Sequence, residues 1–368
     1  MFTDDDPNRE DKDTASDSDN DPRVSIQPPS ESVSRQLTLF QTFYAPANQR
    51  HRMSNVIEIW DAAPKFATPR RRADVTDNPA VFLERTFNFR GTRFQVTVAP
   101  ALIKDSAGRN VYRFPTAREE LIEEALRKIA VQQHLGFVGT FEAKPIVGVR
   151  FSLQMLRREL ARHGHGIKHA DLVDSLMILS GSVVNITYAG RRTALHRSTI
   201  LSNLAAISRE DYLRDPQTLW SAHFHPMVAS SLSAVTYRQY DYESTMSYRS
   251  SLARWLHKYL AAVFVNAGMT QPCRIMLSEI RDGSGLVNRV TVRHQARDIE
   301  NAINELISSA YPIVRSCNRH VVLEGRGIVD VTYTLQPTPE FVKLVIDSNK
   351  RQKDTKSMAA DSSARRGH

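Results

Sequence analysis

The strongest constraint on the fold is an ordered series of helix, glycine turn, helix and β-hairpin. Apolar residues recur at helical spacing over 151–162 and again over 168–179, and Gly164-His165-Gly166 lies between these segments. A strand over 183–188, a four-residue turn and a second strand from Ala194 follow. Few folds bury the apolar faces of such a series, and the local order is that of a winged helix.

The same series returns in the last third of the chain. In chain order its parts are a long helix over 248–263, a short helix over 274–280, a turn at 283–285, a helix N-capped by Thr291 and ending near Ala310, and strands over 317–323 and 328–335. We therefore expect an α+β fold with two tandem winged-helix domains, over 80–238 and 239–347.

The two ends of the chain are expected to lie outside these domains. Residues 1–79 are predicted to be a disordered acidic leader and basic linker, with order beginning near Val81. A strand pair over 87–98 and a helix opened by a capping box at Thr116 should then precede the first series. Residues 348–368 are predicted to be a basic disordered tail.

Several protein classes are excluded by composition. The longest apolar run, near Leu260–Val265, is too short to span a bilayer, and residues 1–21 lack the features of a secretory signal. Cys273 and Cys317 offer neither a disulfide framework nor metal-ligand spacing. No Walker-type phosphate loop occurs. These features predict a cytoplasmic protein without a metal or other cofactor.

The folded part is strongly basic. The whole chain has a net charge of +9, yet residues 1–31 contain ten acidic and three basic residues and carry −7. The remainder therefore carries +16. Such a surplus is typical of nucleic-acid binders, although ribosomal and membrane-surface proteins share it.

The second domain supplies most of the candidate DNA contacts. In a winged helix the second helix enters the major groove and the wing lies over the backbone or minor groove. Arginine can make two hydrogen bonds to guanine, and asparagine can make two to adenine. The free amides at the start of a helix can bind phosphate. The predicted DNA-binding residues are Arg289, Thr291, Arg293, His294, Arg297 and Asn301 on or before the helix, and Arg319 and Arg326 on the wing. An ordinary solvated amphipathic helix is the alternative.

The first domain has weaker candidates. Lys168 and His169 lie at the start of its second helix, but Asp171 and Asp174 share that face and would repel phosphate. Arg191-Arg192 at the wing tip is suited to clamping the backbone. We expect this domain to position the protein on DNA more than to read bases.

An apolar pentapeptide, Gln36-Leu37-Thr38-Leu39-Phe40, lies in the polar leader between proline-containing segments. Such a cluster indicates a peptide that inserts into a pocket of a partner protein, although a short edge strand or an accidental cluster would also fit. Its pattern resembles the peptide by which bacterial replication proteins hold the polymerase sliding clamp. That resemblance implies that Leu39 and Phe40 fill the clamp pocket and that the Gln36 amide bonds its rim.

The order of parts also resembles the TrfA-type initiators of plasmid replication. Glu119-Glu120-Leu121-Ile122 and Leu252-Ala253-Arg254-Trp255 are similar to segments of that family. The resemblance implies binding to direct repeats (iterons) in double-stranded origin DNA, opening of a nearby A·T-rich segment, and recruitment of the sliding clamp and replicative helicase. Contact with a host initiator, an inactive homodimer, copy control through repression of its own promoter, and absence of enzymatic activity are further expectations.

Two rival interpretations remain open. His223-Phe224-His225 has the form of the metal-binding motif of rolling-circle nickases, but no tyrosine precedes a lysine at the spacing of their nucleophile motif. The other rival is a winged-helix transcription regulator without a role in replication. A pull-down with purified clamp separates that regulator from an initiator.

Overall fold

The computed structural model describes residues 52–67, 82–105, 108–132, 136–141, 144–190, 194–206, 220–325 and 327–364. These ranges form an α+β fold with two tandem winged-helix domains, as the sequence predicts. The helices are α1 Glu58–Ala62, α2 Ala117–Gln132, α3 Leu153–Arg162, α4 His169–Gly181, α5 Pro226–Ala234, α6 Tyr242–Ser247, α7 Ser251–Val263, α8 Leu277–Ser284, α9 Val292–Ser308 and α10 Pro339–Ala364. The strands are β1 Met53–Ile57, β2 Leu83–Phe89, β3 Thr92–Ala99, β4 Ala101–Lys104, β5 Asn110–Arg113, β6 Gly136–Phe141, β7 Lys144–Phe151, β8 Val183–Tyr188, β9 Ala194–Thr199, β10 Leu201–Ala206, β11 Trp220–Phe224, β12 Tyr237–Asp241, β13 Cys273–Met276, β14 Val314–Glu324 and β15 Gly327–Pro337.

The first winged-helix domain contains the predicted helix pair and hairpin. The Ser152 hydroxyl caps α3 by accepting a hydrogen bond from the Met155 N–H at 3.1 Å. Gly164, with a φ of +78°, makes the turn between α3 and α4. The wing strands β8 and β9 join the predicted β2–β3 pair in an antiparallel sheet of order β2-β3-β8-β9. A second sheet, of order β10-β11-β7-β6, completes the domain.

The hairpin β4–β5 packs against the C-terminal part of α4. Ala101, Ile103 and Val111 of the hairpin form a small buried cluster with Ile178 of the helix. A Cβ added at Gly181 would lie 2.8 Å from the Ala101 Cβ, so this close approach requires glycine. The hairpin therefore limits what the end of α4 can present to a ligand.

The second winged-helix domain comprises α7, α8, α9 and a three-stranded sheet of order β13-β15-β14. The predicted short helix over 274–280 is wrong at its start, because Cys273–Met276 pairs with β15 as strand β13. The helix begins at Leu277, where the Glu279 carboxylate accepts a hydrogen bond from the Met276 N–H at 2.7 Å. A nearby strand edge thus overrides the local preference for helix.

Order begins earlier in the chain than the sequence predicts. Residues 53–57 form β1, which pairs antiparallel with β12 some 180 residues away, with Met53 opposite Asp241. Trp60 of α1 is fully buried in the first domain's core. The predicted disordered leader and linker over 1–79 is therefore wrong for 52–67, because partners distant in sequence stabilise this segment. Residues 1–51 lie outside the described residues.

The predicted disordered tail over 348–368 is also wrong for most of its length, since α10 continues to Ala364. The Asn349 side-chain amide donates to the Val265 carbonyl at 2.7 Å, and the Gln352 amide donates to the Val235 and Tyr237 carbonyls. These bonds tie the helix to both halves of the chain. Neither this 26-residue helix nor any other in the described ranges is long and apolar enough to cross a membrane.

Two hydrophobic cores lie side by side. The first contains buried residues from Val56 to Met246 together with Ala261 and Ala262, and the second contains residues from Tyr248 to Val345. Tyr240, Tyr242 and Met246 belong to the first core, which favours a division near residue 247. The boundary at 238/239 stays a prediction.

A buried network of charged side chains joins the two domains. Lys258 of α7 donates to the carboxylates of Glu120 and Glu124 of α2, at 3.2 and 2.9 Å, and Arg254 donates to Glu120 at 3.3 Å. On the same face of α2, Arg127 contacts the Glu124 carboxylate and makes two hydrogen bonds to Asp61 of α1, at 2.7 and 2.8 Å. Opposite charges are thus paired across the α1, α2 and α7 contacts.

The ionisation of this network follows from its pairing. Burial raises the pKa of Asp61, but the Arg127 guanidinium more than offsets that effect and holds the pKa below its usual range. Burial likewise raises the pKa of Glu120, and Lys258 and Arg254 lower it further than burial raises it. Both carboxylates are therefore ionised at neutral pH.

The two domains also approach each other closely at Gly285. Gly285, with a φ of +60°, ends α8, and a Cβ there would lie 2.7 Å from the Arg85 guanidinium of the first domain. That guanidinium donates to the Pro64 and Phe66 carbonyls at 2.8 and 2.9 Å. Glycine is thus required both for the backbone angle and for the contact.

Candidate nucleic-acid interface

Helix α9 presents a polar face to solvent. Its apolar face is buried in the second core through Ala296, Ile299, Ala302, Ile303 and Leu306. On the opposite side lies what we call the reading face, which consists of the exposed residues Arg293, His294, Arg297, Asn301 and Asn304. Within the described part of the chain, neither Arg293 nor Arg297 forms an ion pair, so both guanidinium groups are available to a ligand.

Two other predicted arginines are already paired. The Arg289 Nε donates to an Asp298 carboxylate oxygen of α9 at 2.8 Å, and an Arg319 nitrogen lies 3.3 Å from a Glu300 oxygen. These contacts neutralise charge beside the reading face and leave its own arginines as the stronger anion-binding groups. The sequence did not reveal these pairs, because each joins α9 to a residue on a neighbouring segment.

The start of α9 is held by a local hydrogen-bond network. The Thr291 hydroxyl accepts from the His294 N–H at 3.4 Å and also bonds His294 Nδ1 at 2.8 Å. The Gln295 amide donates to the Arg289 carbonyl at 2.7 Å, which fixes the preceding turn. Thr291 therefore acts as the predicted N-cap, and its hydroxyl is already engaged.

The turn before α9 also exposes an apolar residue, Val290, that is not among the predicted contact residues. Val290 is 98% exposed and lies beside Arg289 and Thr291. An apolar side chain at the start of a groove-reading helix suits contact with a thymine methyl group. In the sequence, Val290 is marked only as an apolar residue among the polar residues Asn288, Arg289 and Thr291.

The wing of the second domain is long and carries both cationic and apolar groups. Strands β14 and β15 each have eleven residues, and Leu323 pairs with Ile328 near the turn. Arg315 and His320 are exposed on β14, while Leu323, Ile328 and Val329 leave apolar surface near the tip. The predicted contact residue Arg326 lies outside the described residues.

The first domain contributes a smaller surface. Lys168 and His169 are exposed at the start of α4. Asp171, expected to repel phosphate, has a carboxylate oxygen 3.5 Å from the Arg118 guanidinium, which reduces that repulsion. Arg191 and Arg192 of the first wing lie outside the described residues. With its C-terminal part packed against β4–β5, α4 can approach DNA chiefly through its first turns.

The histidines of the nickase motif have structural partners. His225 is fully buried, stacks on Trp60 at 4.3 Å, and caps α5 by accepting from the Met227 N–H at 3.2 Å. Burial lowers the pKa of His225 to about 3. His223 bonds the Asn203 amide at 3.0 Å. Among the described residues, no group of three or more His, Cys, Asp or Glu side chains is placed to hold a metal ion.

Tyrosines near this motif are also poorly suited to nucleophilic attack. Tyr240, Tyr242 and Tyr248 are buried. Burial raises the pKa of Tyr248 to about 12 and raises the pKa values of Tyr240 and Tyr242 well above their usual value. A tyrosine that attacks a phosphodiester needs access to DNA and an accessible tyrosinate form.

Fold and surface together define a class: a protein with two tandem winged-helix domains, the second of which exposes a cationic helix. No protein-family model and no curated protein matches the chain. A crystal structure of domains 2 and 3 of RctB is similar at a TM-score of 0.48 and 13% identity, covering 80% of this chain and 98% of that chain. Another structure of RctB domains 2–3 has a TM-score of 0.44 and 14% identity, with coverages of 78% and 99%.

The Pi initiator protein, crystallised in complex with iteron DNA, has a TM-score of 0.38 and 13% identity, covering 60% of this chain and 91% of that chain. At these identities the likeness concerns the arrangement of elements alone. We therefore base the functional proposal on this chain's own residues.

Proposed function

We propose that this protein binds double-stranded DNA sequence-specifically, with α9 in the major groove. The observation that carries the proposal is the reading face, on which Arg293, Arg297 and Asn301 are exposed on one side of a helix. An arginine fork matches guanine O6 and N7, and an asparagine amide matches adenine N6 and N7. The flanking wing would lie along the backbone through Arg315 and His320.

The two domains take different roles in this proposal. Helix α4 offers Lys168 and His169 beside acidic residues, so it suits positioning contacts with phosphate more than base readout. Helix α9 carries the base-reading groups. Since the two helices are chemically different and covalently joined, one chain should cover an asymmetric site of about 20 base pairs. Copies of an asymmetric site can stand head to tail as direct repeats.

We further propose that the biological role is initiation of replication at a plasmid-type origin. The support is the pentapeptide 36–40, which resembles a sliding-clamp peptide, together with the suitability of the two domains for direct repeats. The protein would load on repeats, strain a neighbouring A·T-rich duplex, and recruit the clamp and helicase without enzymatic activity of its own. Binding near its own promoter would also repress the gene and so control copy number.

Selection from a random duplex library, followed by hydroxyl-radical footprinting and sedimentation, tests the mode of DNA binding. We expect one enriched asymmetric sequence, a footprint spanning two successive major-groove turns, and one chain per duplex. A palindromic footprint with two chains bound would contradict the binding of one chain to an asymmetric site and would favour a winged-helix transcription regulator. Selection that enriches no sequence would remove the proposal of specific readout.

The clamp contact is tested separately. Burying one Leu and one Phe gives roughly 3 to 6 kcal/mol before the cost of ordering the peptide. We expect an affinity near the micromolar range, equivalent to about −8 kcal/mol. Leu39→Ala with Phe40→Ala should abolish binding to immobilised clamp and leave DNA binding unchanged, whereas Thr38→Ala should leave both intact. Undiminished clamp binding by the double variant would contradict the proposal that residues 36–40 bind the clamp.

A further inference from the structure

The acidic composition of residues 1–31 has no part in the function proposed so far. We call this segment the acidic leader. Its net charge of −7 contrasts with +16 over the rest of the chain. Nine of its ten side-chain carboxylates lie within residues 4–21, one for every two residues, so this stretch is strongly anionic.

The chain enters the described fold beside the C-terminal end of α9. Arg52, the first described residue, forms an ion pair with Asp241 at 2.5 Å, and its guanidinium lies 4.4 Å from the centre of the Tyr311 ring. Tyr311 belongs to the short connection between α9 and β14. Of the exposed groups of the reading face, Asn304 is nearest along the helix to this connection.

The distance from this entry point to the reading face is well within reach of the leader. Helix α9 has 17 residues and is about 25 Å long. The twenty residues 32–51 can span up to about 70 Å when extended. The acidic leader can therefore lie along the full reading face of its own molecule.

We propose that the acidic leader binds the reading face of α9 and competes there with DNA. Carboxylates of the leader would pair with the guanidinium groups of Arg293 and Arg297, which have no ion-pair partner in the described part of the chain. This inference rests on the proposed function, since it takes α9 as the DNA-binding helix. Competition at a shared surface lowers the apparent affinity for random and cognate duplexes by the same factor, because either duplex must displace the leader.

A measurement without DNA tests the contact itself. A nitroxide label is attached at Ser16→Cys in a chain that also carries Cys273→Ser and Cys317→Ser. At 50 mM NaCl we expect paramagnetic broadening of the amide signals of residues 293–304, and at 500 mM NaCl we expect its loss through screening. The control is the same labelled chain with the nine acidic residues of 4–21 replaced by Asn or Gln. Broadening that is absent, that falls on other surfaces, or that persists in this control would overturn the proposal.

A binding measurement tests the consequence. Deleting residues 2–31 should raise the affinity for a random 20-base-pair duplex at least fivefold at low salt. In a chain with Arg293→Ala and Arg297→Ala, the same deletion should change affinity less than twofold. An equal gain in both backgrounds would mean that the leader repels DNA without binding α9, which contradicts the proposal.

The two proposals fail in distinguishable ways. If the leader broadens the α9 signals but added duplex leaves them unchanged, the assignment of α9 to DNA fails and the leader contact stands. If duplex perturbs α9 and the leader does not, only the leader contact fails.

Discussion

At the scale of single residues, two fully buried histidines should lower the stability of the fold at acidic pH, and burial lowers the pKa values of His165 and His223 in the same direction. Burial lowers the pKa of His225 to about 3 and that of His257 to about 4. An unfolded histidine has a pKa near 6.5, so between these values the unfolded chain binds protons that the folded chain does not. Stability should therefore fall as the pH falls from about 6.5 towards 4.

We expect the free energy of unfolding to be lower at pH 5.0 than at pH 7.5 by about 2 kcal/mol for each of these histidines. The carboxylates with lowered pKa stay ionised over this window, and their contribution is lost only at lower pH. Urea unfolding at both pH values measures the difference. His257→Gln should reduce the difference by about 2 kcal/mol, whereas Asn304→Gln, at an exposed and non-titrating position of α9, should leave the difference unchanged. An unaltered difference in His257→Gln would show that this buried imidazole does not control the transition.

The sequence predicts the solvent exposure of a residue correctly where that exposure depends on a single helix or strand. Helical periodicity placed Arg293, Arg297 and Asn301 on the polar side of α9, and the structure has all three exposed. The engagement of Arg289 with Asp298 could not be read from periodicity, because it depends on how the turn before α9 folds back. Likewise, the buried network joining Lys258 to α2 joins residues more than 130 positions apart.

At the scale of elements, local capping signals predicted the starts of α2 and α9, whereas pairing with distant strands produced the elements that the sequence did not predict. The capping box at Thr116 forms as predicted, with the Glu119 carboxylate accepting from the Thr116 N–H at 2.8 Å. Strands β1 and β13 were not predicted, because each is stabilised by hydrogen bonds to a strand far away in sequence. The continuation of α10 was hidden by its polar composition, since its contacts are made by Ser348, Asn349 and Gln352.

Shortening α10 tests whether its second half contributes to stability. A chain that ends at Asp347 loses the amide hydrogen bonds to Val265, Val235 and Tyr237, and each such bond contributes about 0.5 to 1.5 kcal/mol. We expect a loss of about 1.5 to 4.5 kcal/mol in the free energy of unfolding. A chain that ends at Ala364 is the control and should match the full chain. Equal stability of both truncated chains would show that residues 348–364 are dispensable to the fold.

At the scale of the whole molecule, the buried charges between α2 and α7 should make the two domains unfold together. Lys258→Met removes a positive charge that pairs with the buried carboxylates of Glu120 and Glu124. Removal of one partner of a buried ion pair costs about 3 to 5 kcal/mol of stability. Calorimetry should show one transition for the unaltered chain and a lower or divided transition for this variant. Lys343→Met, at an exposed position of α10, should leave the transition unchanged. A divided transition in the unaltered chain would contradict the coupling.

The central claim is that α9 reads DNA bases, and one comparison tests it most directly. Binding of a selected duplex and of a random duplex is measured by fluorescence anisotropy in the chain without residues 2–31, where the leader cannot compete, with no further change, with Arg293→Ala, with Arg297→Ala and with the control Lys343→Ala. Each arginine variant should lose about 1 to 3 kcal/mol on the selected duplex and little on the random one, because a bidentate base contact is made only at the cognate site. Lys343→Ala should behave as the chain with no further change. Equal losses on both duplexes would contradict the placement of α9 in the major groove.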